Sequence, residues 1–563
     1  MNSNDTEPTT VNRLLSDARY LEPAAVIVIV ALAVGLRLWA IDFGFPEHVR
    51  PDEQYFVSIT RRFDSHSTLD PDWYYYPSLY MYLNAAVWRG YTLLQFFRGR
   101  YEPPDARRSQ PPTHGIDRIR ARAPDIEFLL GRCVTALFGV ATVLLVYAIA
   151  RRFYGRKAAV AAAAFLAVNG LHTLNSHFYK SDVATTFFTL AALGCMARYV
   201  QERRIGWNLG AAVCTGLAAS TNYYGGFLVP VLILSQFLAL SARWEVFAMP
   251  AVALFVFAAT SPYCLIKWTA FLTTFHRMVF ADRQSLYDTL VKQINFDDCG
   301  FATSPLLYSL GFCWRYSMGL VLGVVSAVGL VWLVGKRRGV GALLVVFLYI
   351  HFVGVASGKA VFMRYYLSLV PILALGAGVL LSGAAQRMAP ERPTRQNLLM
   401  LLAIVVCGFG SFEASRRQNH LLAREDTRVE ARRWLAENLP RGAAVATPVD
   451  WWGDFYPYGK PTLPAESRYV PVAPADVRRK GFRYVLVDDS LLRLYSPPDR
   501  PQWTSWLAAN ARLLFEVSPY GAPVERIDAR YDQLDAFYVP VARFRGIVRP
   551  GPRLCVYQVS PIE

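Results

Sequence analysis

The chain has 563 residues, of which 54% are hydrophobic and 18% charged, and it carries a formal net charge of +17. That apolar share exceeds what a soluble core needs and excludes a water-soluble enzyme; the surplus of Lys and Arg is therefore read against cytoplasmic loops and anionic lipid before nucleic acid. The eight cysteines show no CxxC and no His/Cys spacing of a zinc site, so neither a disulfide nor a metal centre is inferred from them.

Residues 1–21 are polar and read as a cytoplasmic N-terminus leading into an uncleaved signal anchor. Apolar segments at about 22–42, 127–150, 158–174, 183–199, 207–222, 225–241, 246–266, 317–335, 340–357, 365–383 and 397–414 give about eleven transmembrane helices. With the N-terminus inside, the inner connections are the Arg151–Lys157 stretch, Arg203-Arg204, Arg243, Lys336-Arg337-Arg338 and the segment with Arg387, Arg392 and Arg395, all basic as the positive-inside rule requires. The same rule makes 207–241 two short spans broken near Tyr223-Tyr224-Gly225-Gly226. It also lays 79–98 along the outer surface as an amphipathic helix, because a crossing there would turn the basic loops outward.

A transmembrane region over 22–414 is thus expected, with a large first outer loop at 43–126, followed by a soluble extracytoplasmic α/β domain over 415–563. In that last domain Thr427 to Asn438 and Trp503 to Asn510 read as helices. Ala443 to Thr447, Arg483 to Asp488, Leu513 to Val517 and Arg553 to Val559 read as strands. The protein is expected in the cell (inner or plasma) membrane as a multi-pass protein, with membrane lipid as a partner and nucleic acid not.

Polar groups collect at the outer ends of these spans. Asp52 and Glu53 open the first outer loop directly after the first span; two adjacent carboxylates repel one another and suit proton abstraction where a pocket offsets that cost. Arg37 lies in the last third of the first span and Arg132 at the start of the second. His177, Lys180 and Asp182 fall in the next outer connection, and Lys359, Arg364 and Tyr365 between the ninth and tenth spans. Ionisable residues at membrane depth mark functional sites because burial there is expensive. Together the acids could activate a hydroxyl and the bases hold a phosphate or pyrophosphate. Trp73-Tyr74-Tyr75-Tyr76 and Trp451-Trp452 fit stacking on a sugar.

The pattern resembles the GT-C membrane glycosyltransferases, in particular the protein O-mannosyltransferase and lipid A aminoarabinose transferase relatives of glycosyltransferase family 39. The resemblance rests on the arginine near the end of the first span followed by Asp52-Glu53, and on Tyr76-Pro77-Ser78-Leu79-Tyr80 in the place of a Lys-Pro-Pro-Leu-Tyr segment. Arg132, Lys180-Ser181-Asp182, Arg364-Tyr365-Tyr366-Leu367 with Pro371, and Asp426-Thr427-Arg428 follow in the family's order. It covers about the first 435 residues. Tyr76 replaces the family lysine and Asn222 stands where some relatives carry another, so one expected donor-phosphate cation is missing; no segment resembles the β-trefoil insert of eukaryotic protein O-mannosyltransferases.

The resemblance implies an inverting transfer of a sugar from a polyprenyl-phosphate-linked donor to a hydroxyl acceptor (lipid, glycan or protein) on the outer face. Asp52 would be the base and Glu53 its partner in positioning the acceptor or tuning that base. Asp182, Lys180, His177, Arg132, Arg364, Tyr365, Lys359, Tyr76 and Arg37 would hold substrate. No cofactor is expected, although Asp52, Asp182 and His177 leave a divalent metal open. A flippase or transporter of lipid-linked sugars is the alternative, favoured by the Tyr223–Gly226 break, and a non-catalytic assembly factor that binds cell-wall glycan is a third.

Overall fold

The computed structural model describes residues 18–98, 123–277, 305–357, 361–448, 460–492, 500–535 and 537–561. Among them seven helices are long and apolar enough to cross a membrane: Leu21–Leu38, Ile126–Phe153, Asp182–Glu202, Arg243–Thr260, Arg338–Ala356, Met363–Met388 and Pro393–Asn438. Each falls on one of the expected spans. The other four expected spans are helical but short or broken. Arg156–Ala167 and Gly170–Asn175 are separated by Asn169, whose side chain accepts from the His172 N–H and so starts a new helix inside an apolar run. Ile205–Thr221 gives way at Asn222 to a tight turn, Tyr223–Phe227, and then Leu228–Leu238. Gly225 is required there, because a Cβ would lie 2.3 Å from the Ala218 backbone. Leu306–Met318 and Leu320–Lys336 meet at 108°, with Gly319 at φ 76° making the turn.

Small residues set the packing of the helical body. In Arg156–Ala167 nearly every alanine is buried, and its backbone comes so close to the helix Val370–Met388 that a Cβ on Gly378 would sit 2.6 Å from the Ala158 carbonyl. Gly329 and Gly376 make a similar crossing, with a Cβ on Gly329 reaching 2.2 Å from the Gly376 carbonyl. Close backbone approach of this kind is how helices associate in lipid, where burial of apolar surface supplies little drive.

The helix Leu79–Phe97 has 19 residues but is not among those apolar enough to span. Tyr80, Met81 and Ala85 pack with Phe56, Phe63 and Phe128, while Leu93, Phe96 and Phe97 are exposed. Its amphipathic pattern follows from tethering one face to the first-loop helix Pro51–Ser65 and to Ile126–Phe153.

The C-terminal part forms a five-stranded sheet of β1 (Ala444–Thr447), β2 (Arg468–Pro471), β3 (Tyr484–Asp489), β4 (Ala511–Val517) and β5 (Arg553–Val559), in the order β2-β1-β3-β5-β4. β1 runs parallel to β2 and β3, and β5 antiparallel to β3 and β4. Ala431 and Leu435 of the helix Thr427–Asn438 cover one face, and Trp503 and Leu507 of Arg500–Asn510 the other. The four strands and two helices expected are all present. The unexpected strand is β2, a four-residue edge whose residues are half-buried or exposed and which ends on Pro471, so neither alternation nor length marked it. A C-terminal loop bearing Phe537, Val539 and Ile547 packs on Phe43, Leu174, Phe178 and Leu421 at the ends of the membrane helices.

Candidate functional site

The helix Pro51–Ser65 begins with a proline in its first turn, where a missing N–H costs nothing, and two acids follow at its positive end. Successive residues on a helix are turned by about 100°. Glu53 therefore joins Phe56, Val57, Thr60 and Phe63 on the buried face, and Asp52 points elsewhere.

Asp52 is 28% exposed, and its Oδ2 accepts from the Lys180 ammonium and lies 3.9 Å from Arg364 Nη2. Burial works to raise this carboxyl, but Lys180, Arg364 and Arg50 outweigh it and hold Asp52 below the usual carboxylate range. Lys180 is buried; desolvation and Arg364 push its ammonium below the usual lysine range, with Asp52 and Asp182 opposing them. Asp182, the first residue of Asp182–Glu202, is buried and its Oδ2 has no hydrogen-bond partner among the described residues. Tyr76 lies with its ring 5.8 Å from the Lys180 Nζ and packs on Phe56 and Trp73. Arg364 sits over the Phe362 ring at 3.9 Å, and Tyr365 stacks obliquely on Tyr224 of the broken-helix turn at 4.7 Å. Asp52, Lys180, Asp182, Arg364, Tyr365 and Tyr76 thus share one place: two carboxylates, two cations and an aromatic wall.

Four of the expected site residues have other partners. Glu53 is fully buried, and Arg132 binds both its oxygens, Nε to Oε1 at 2.9 Å and Nη2 to Oε2 at 2.7 Å, while the Tyr179 N–H donates to Oε1. Arg132 gives Nη1 to the Ile41 and Phe43 carbonyls, so four of its five N–H groups are bound within the protein. Arg37 turns into the helix bundle instead of toward head groups, donating to the Ala33, Leu166 and Ala167 carbonyls with His172 Nδ1 at 2.9 Å. His177 has both ring nitrogens 2.9 Å from backbone carbonyls, those of Thr173 and Trp39, so neither is open to a metal or substrate. Lys359 and Trp451-Trp452 lie outside the described residues.

The sequence reading also missed three residues. Asp535, from the C-terminal loop, accepts two hydrogen bonds from Arg50, at 2.7 and 2.9 Å, and lies 2.9 Å from Arg364 Nη1. Against the effect of burial, Arg50 and Arg364 hold Asp535 well below the usual carboxylate range. Beside it, burial and the Asp535 charge push Asp532 up to about 6, and its Oδ2 accepts the Met363 N–H at 2.9 Å. Arg50 is fully buried between the Phe178 and Phe537 rings. The C-terminal part therefore reaches into the cation cluster around Asp52. Nothing local in Tyr531-Asp532-Gln533-Leu534-Asp535 marks this role.

The described architecture is that of a polytopic membrane protein of the GT-C class. It is similar to the archaeal oligosaccharyltransferase AglB from Archaeoglobus fulgidus, in complex with an inhibitory peptide and a dolichol-phosphate, at TM-score 0.50 and 14% identity over 89% of this chain and 73% of that one. ArnT from Cupriavidus metallidurans bound to undecaprenyl phosphate aligns at TM-score 0.47 and 13% identity, over 94% of this chain and 97% of that one. In sequence, the family described as dolichyl-phosphate-mannose-protein mannosyltransferase matches residues 127–266, a stretch that includes Arg132, Lys180 and Asp182. The chain has the GT-C fold, and over residues 127–266 it is similar in sequence to the dolichyl-phosphate-mannose-protein mannosyltransferase family. No curated protein matches it in sequence.

Proposed function

We propose that the protein moves one sugar from a polyprenyl-phosphate-linked donor to a hydroxyl acceptor, with inversion at the anomeric carbon, on the outer face of the cell membrane, where residues 415–563 form an extracytoplasmic domain. The observation that carries this reading is the arrangement at Asp52: a part-exposed carboxylate whose counter-ions, Lys180 and Arg364, are the same groups a donor phosphate would need. The acceptor oxygen attacks the anomeric carbon and its proton passes to Asp52. The bond from that carbon to the phosphate oxygen breaks, and polyprenyl phosphate leaves with the electron pair, its charge met by Lys180 and Arg364.

In this reading the incoming phosphate draws Lys180 and Arg364 away from Asp52. Loss of those cations raises the Asp52 pKa and makes it a better base only once the donor is in place. The unpaired Oδ2 of Asp182 is available to accept from a sugar hydroxyl, and Tyr76 and Tyr365 supply faces for the ring. Asp535 is a positioning residue, holding Arg50 and Arg364 from the C-terminal side. Glu53 and Arg132 fix the first-loop helix against Ile126–Phe153 and do not touch substrate.

The test is an assay of the purified protein in lipid with a panel of radiolabelled polyprenyl-phosphate sugars, following transfer and hydrolysis. Turnover of one donor that disappears in Asp52→Asn supports the assignment and identifies the sugar. Binding of a donor with no turnover in any lipid or acceptor mixture, together with its movement across the bilayer, would replace transfer by flipping.

A further inference from the structure

A cavity of about 440 Å³, not lined by Asp52, lies between the helix Gly170–Asn175, the bend at 315–319, the helix Pro393–Leu422 and the C-terminal loop at 541–545. Its lining includes the buried apolar residues Leu171, Leu174 and Met363 and the exposed Phe409. Its rim carries four arginines, Arg315, Arg417, Arg543 and Arg545, and one carboxylate, Glu413. Arg417 is paired with Glu413 and Arg543 with Asp528, whereas Arg315 and Arg545 have no carboxylate partner among the described residues. Gln418 lines the cavity, is 2% exposed, and its side-chain oxygen accepts no hydrogen bond from the described residues. A buried amide oxygen without a donor is costly, and a ligand hydroxyl would relieve it.

The position of the cavity narrows the ligand. On the helix Pro393–Leu422 the exposed apolar residues Leu402, Val405, Val406 and Phe409 stop at Glu413, Arg416 and Arg417; on Leu320–Lys336 the exposed Leu320, Val321 and Val324 stop at the Gly319 bend, with Arg315 beyond it. The cavity thus straddles the level at which both helices change from lipid-facing to charged. Arginines just past such a boundary meet phosphate headgroups, and the apolar strip below them continues as a track for an acyl chain.

We propose that this cavity binds an anionic membrane glycerophospholipid, with its phosphodiester on Arg315 and Arg545, a headgroup hydroxyl donating to the Gln418 side-chain oxygen, and an acyl chain along Phe409 and Leu320. A zwitterionic choline lipid fits worse on two counts: its cation faces four arginines and its headgroup has no hydroxyl to give. The site is separate from the transfer chemistry and stands whether or not Asp52 is the base.

The full-length protein in neutral detergent is titrated with phosphatidylglycerol and with phosphatidylcholine of the same acyl chains, and bound lipid is counted by native mass spectrometry. Phosphatidylglycerol should bind about tenfold more tightly, and Arg315→Gln with Arg545→Gln should erase that preference. Gly410→Leu is a second, independent variant: Gly410 lines the cavity and a Cβ there meets no atom within 4 Å, so the new side chain enters empty space and should weaken phosphatidylglycerol binding without lowering the melting temperature. Arg479→Gln, on an exposed arginine paired with Asp476, should bind as the parent does. Equal binding of the two lipids, or a preference that survives both the double variant and Gly410→Leu, overturns the proposal. Displacement of phosphatidylglycerol by millimolar inorganic phosphate would also overturn it, by making the site one for free phosphate.

Discussion

Asp52 and Glu53 are neighbours of the same chemical type on the same helix, yet the fold treats them in opposite ways. Glu53 is fully buried, with both oxygens held by Arg132 and one also by a backbone N–H. Asp52 keeps a quarter of its side chain in the open, pairs with Lys180 and with Arg364, which it shares with Asp535, and lies near Asp182. A turn of about 100° along a helix is enough to send one acid into the structure and leave the other part-exposed beside two cations. The lesson is that charge at a membrane surface does not identify a catalytic group; the state of its partners does. A carboxylate held on both oxygens by one buried arginine is a fastener, and one whose counter-ions a phosphate would also need is the one we propose for chemistry.

The largest expected effect is on the chemical step. Asp52→Asn should lower transfer by about 10³-fold, while donor binding stays equal or tightens, since Lys180 and Arg364 no longer have to leave a carboxylate. Next is the fastener. Glu53→Gln strands a buried guanidinium and should cost about 3–5 kcal/mol of stability, read as a fall in melting temperature; Glu53→Gln with Arg132→Met should recover part of it, which a purely catalytic role for Glu53 would not produce. Arg364→Gln removes a phosphate partner and should weaken donor binding by about 10–100-fold in a direct binding assay. Asp535→Asn should raise KM for the donor by a smaller factor, about threefold to tenfold, with kcat nearly unchanged, because Arg364 remains but is less well held. A loss confined to kcat would mean that Asp535 itself takes part in the chemistry.

The smallest effect is in the pH profile. With Lys180 and Arg364 on Asp52, its folded pKa lies below the usual carboxylate value, so the base is ionised at neutral pH. Activity should fall only as pH drops through that lowered value. In the donor complex the cations have moved to phosphate and the Asp52 pKa rises. The acid limb of kcat, which reports the complex, should therefore lie at higher pH than the acid limb of kcat/KM, which reports the free enzyme. Coincident limbs would contradict the exchange of cations.

Much of this was legible in the sequence. The seven spanning helices and the broken stretch at Tyr223–Gly226 follow from apolar length, glycine and basic loops. Asp52, Lys180, Asp182, Arg364 and Tyr365 come together because each lies at or just beyond the end of an expected span, and topology brings such ends to one face; Tyr76 joins them from within the first loop. The separate fates of the two acids were also within reach: Glu53, Phe56, Thr60 and Phe63 fall at helical spacing, which puts Glu53 on the apolar stripe. The protein partners of Arg37, Arg132 and His177 were not legible, because an ionisable residue near a span end can face a cavity, lipid or another helix, and only tertiary packing decides among them. Arg50 and Asp535 are 485 residues apart, a contact that no local pattern carries.

The most direct measurement is a single-turnover transfer rate at saturating donor, in lipid, for Asp52→Asn and Glu53→Gln side by side, each corrected for its folded fraction from thermal unfolding. The account predicts a near-native melting temperature and a rate down about 10³-fold for Asp52→Asn, against a lowered melting temperature and a near-native rate per folded molecule for Glu53→Gln. A fully active Asp52→Asn protein, or a stable Glu53→Gln protein that no longer transfers sugar, would contradict it.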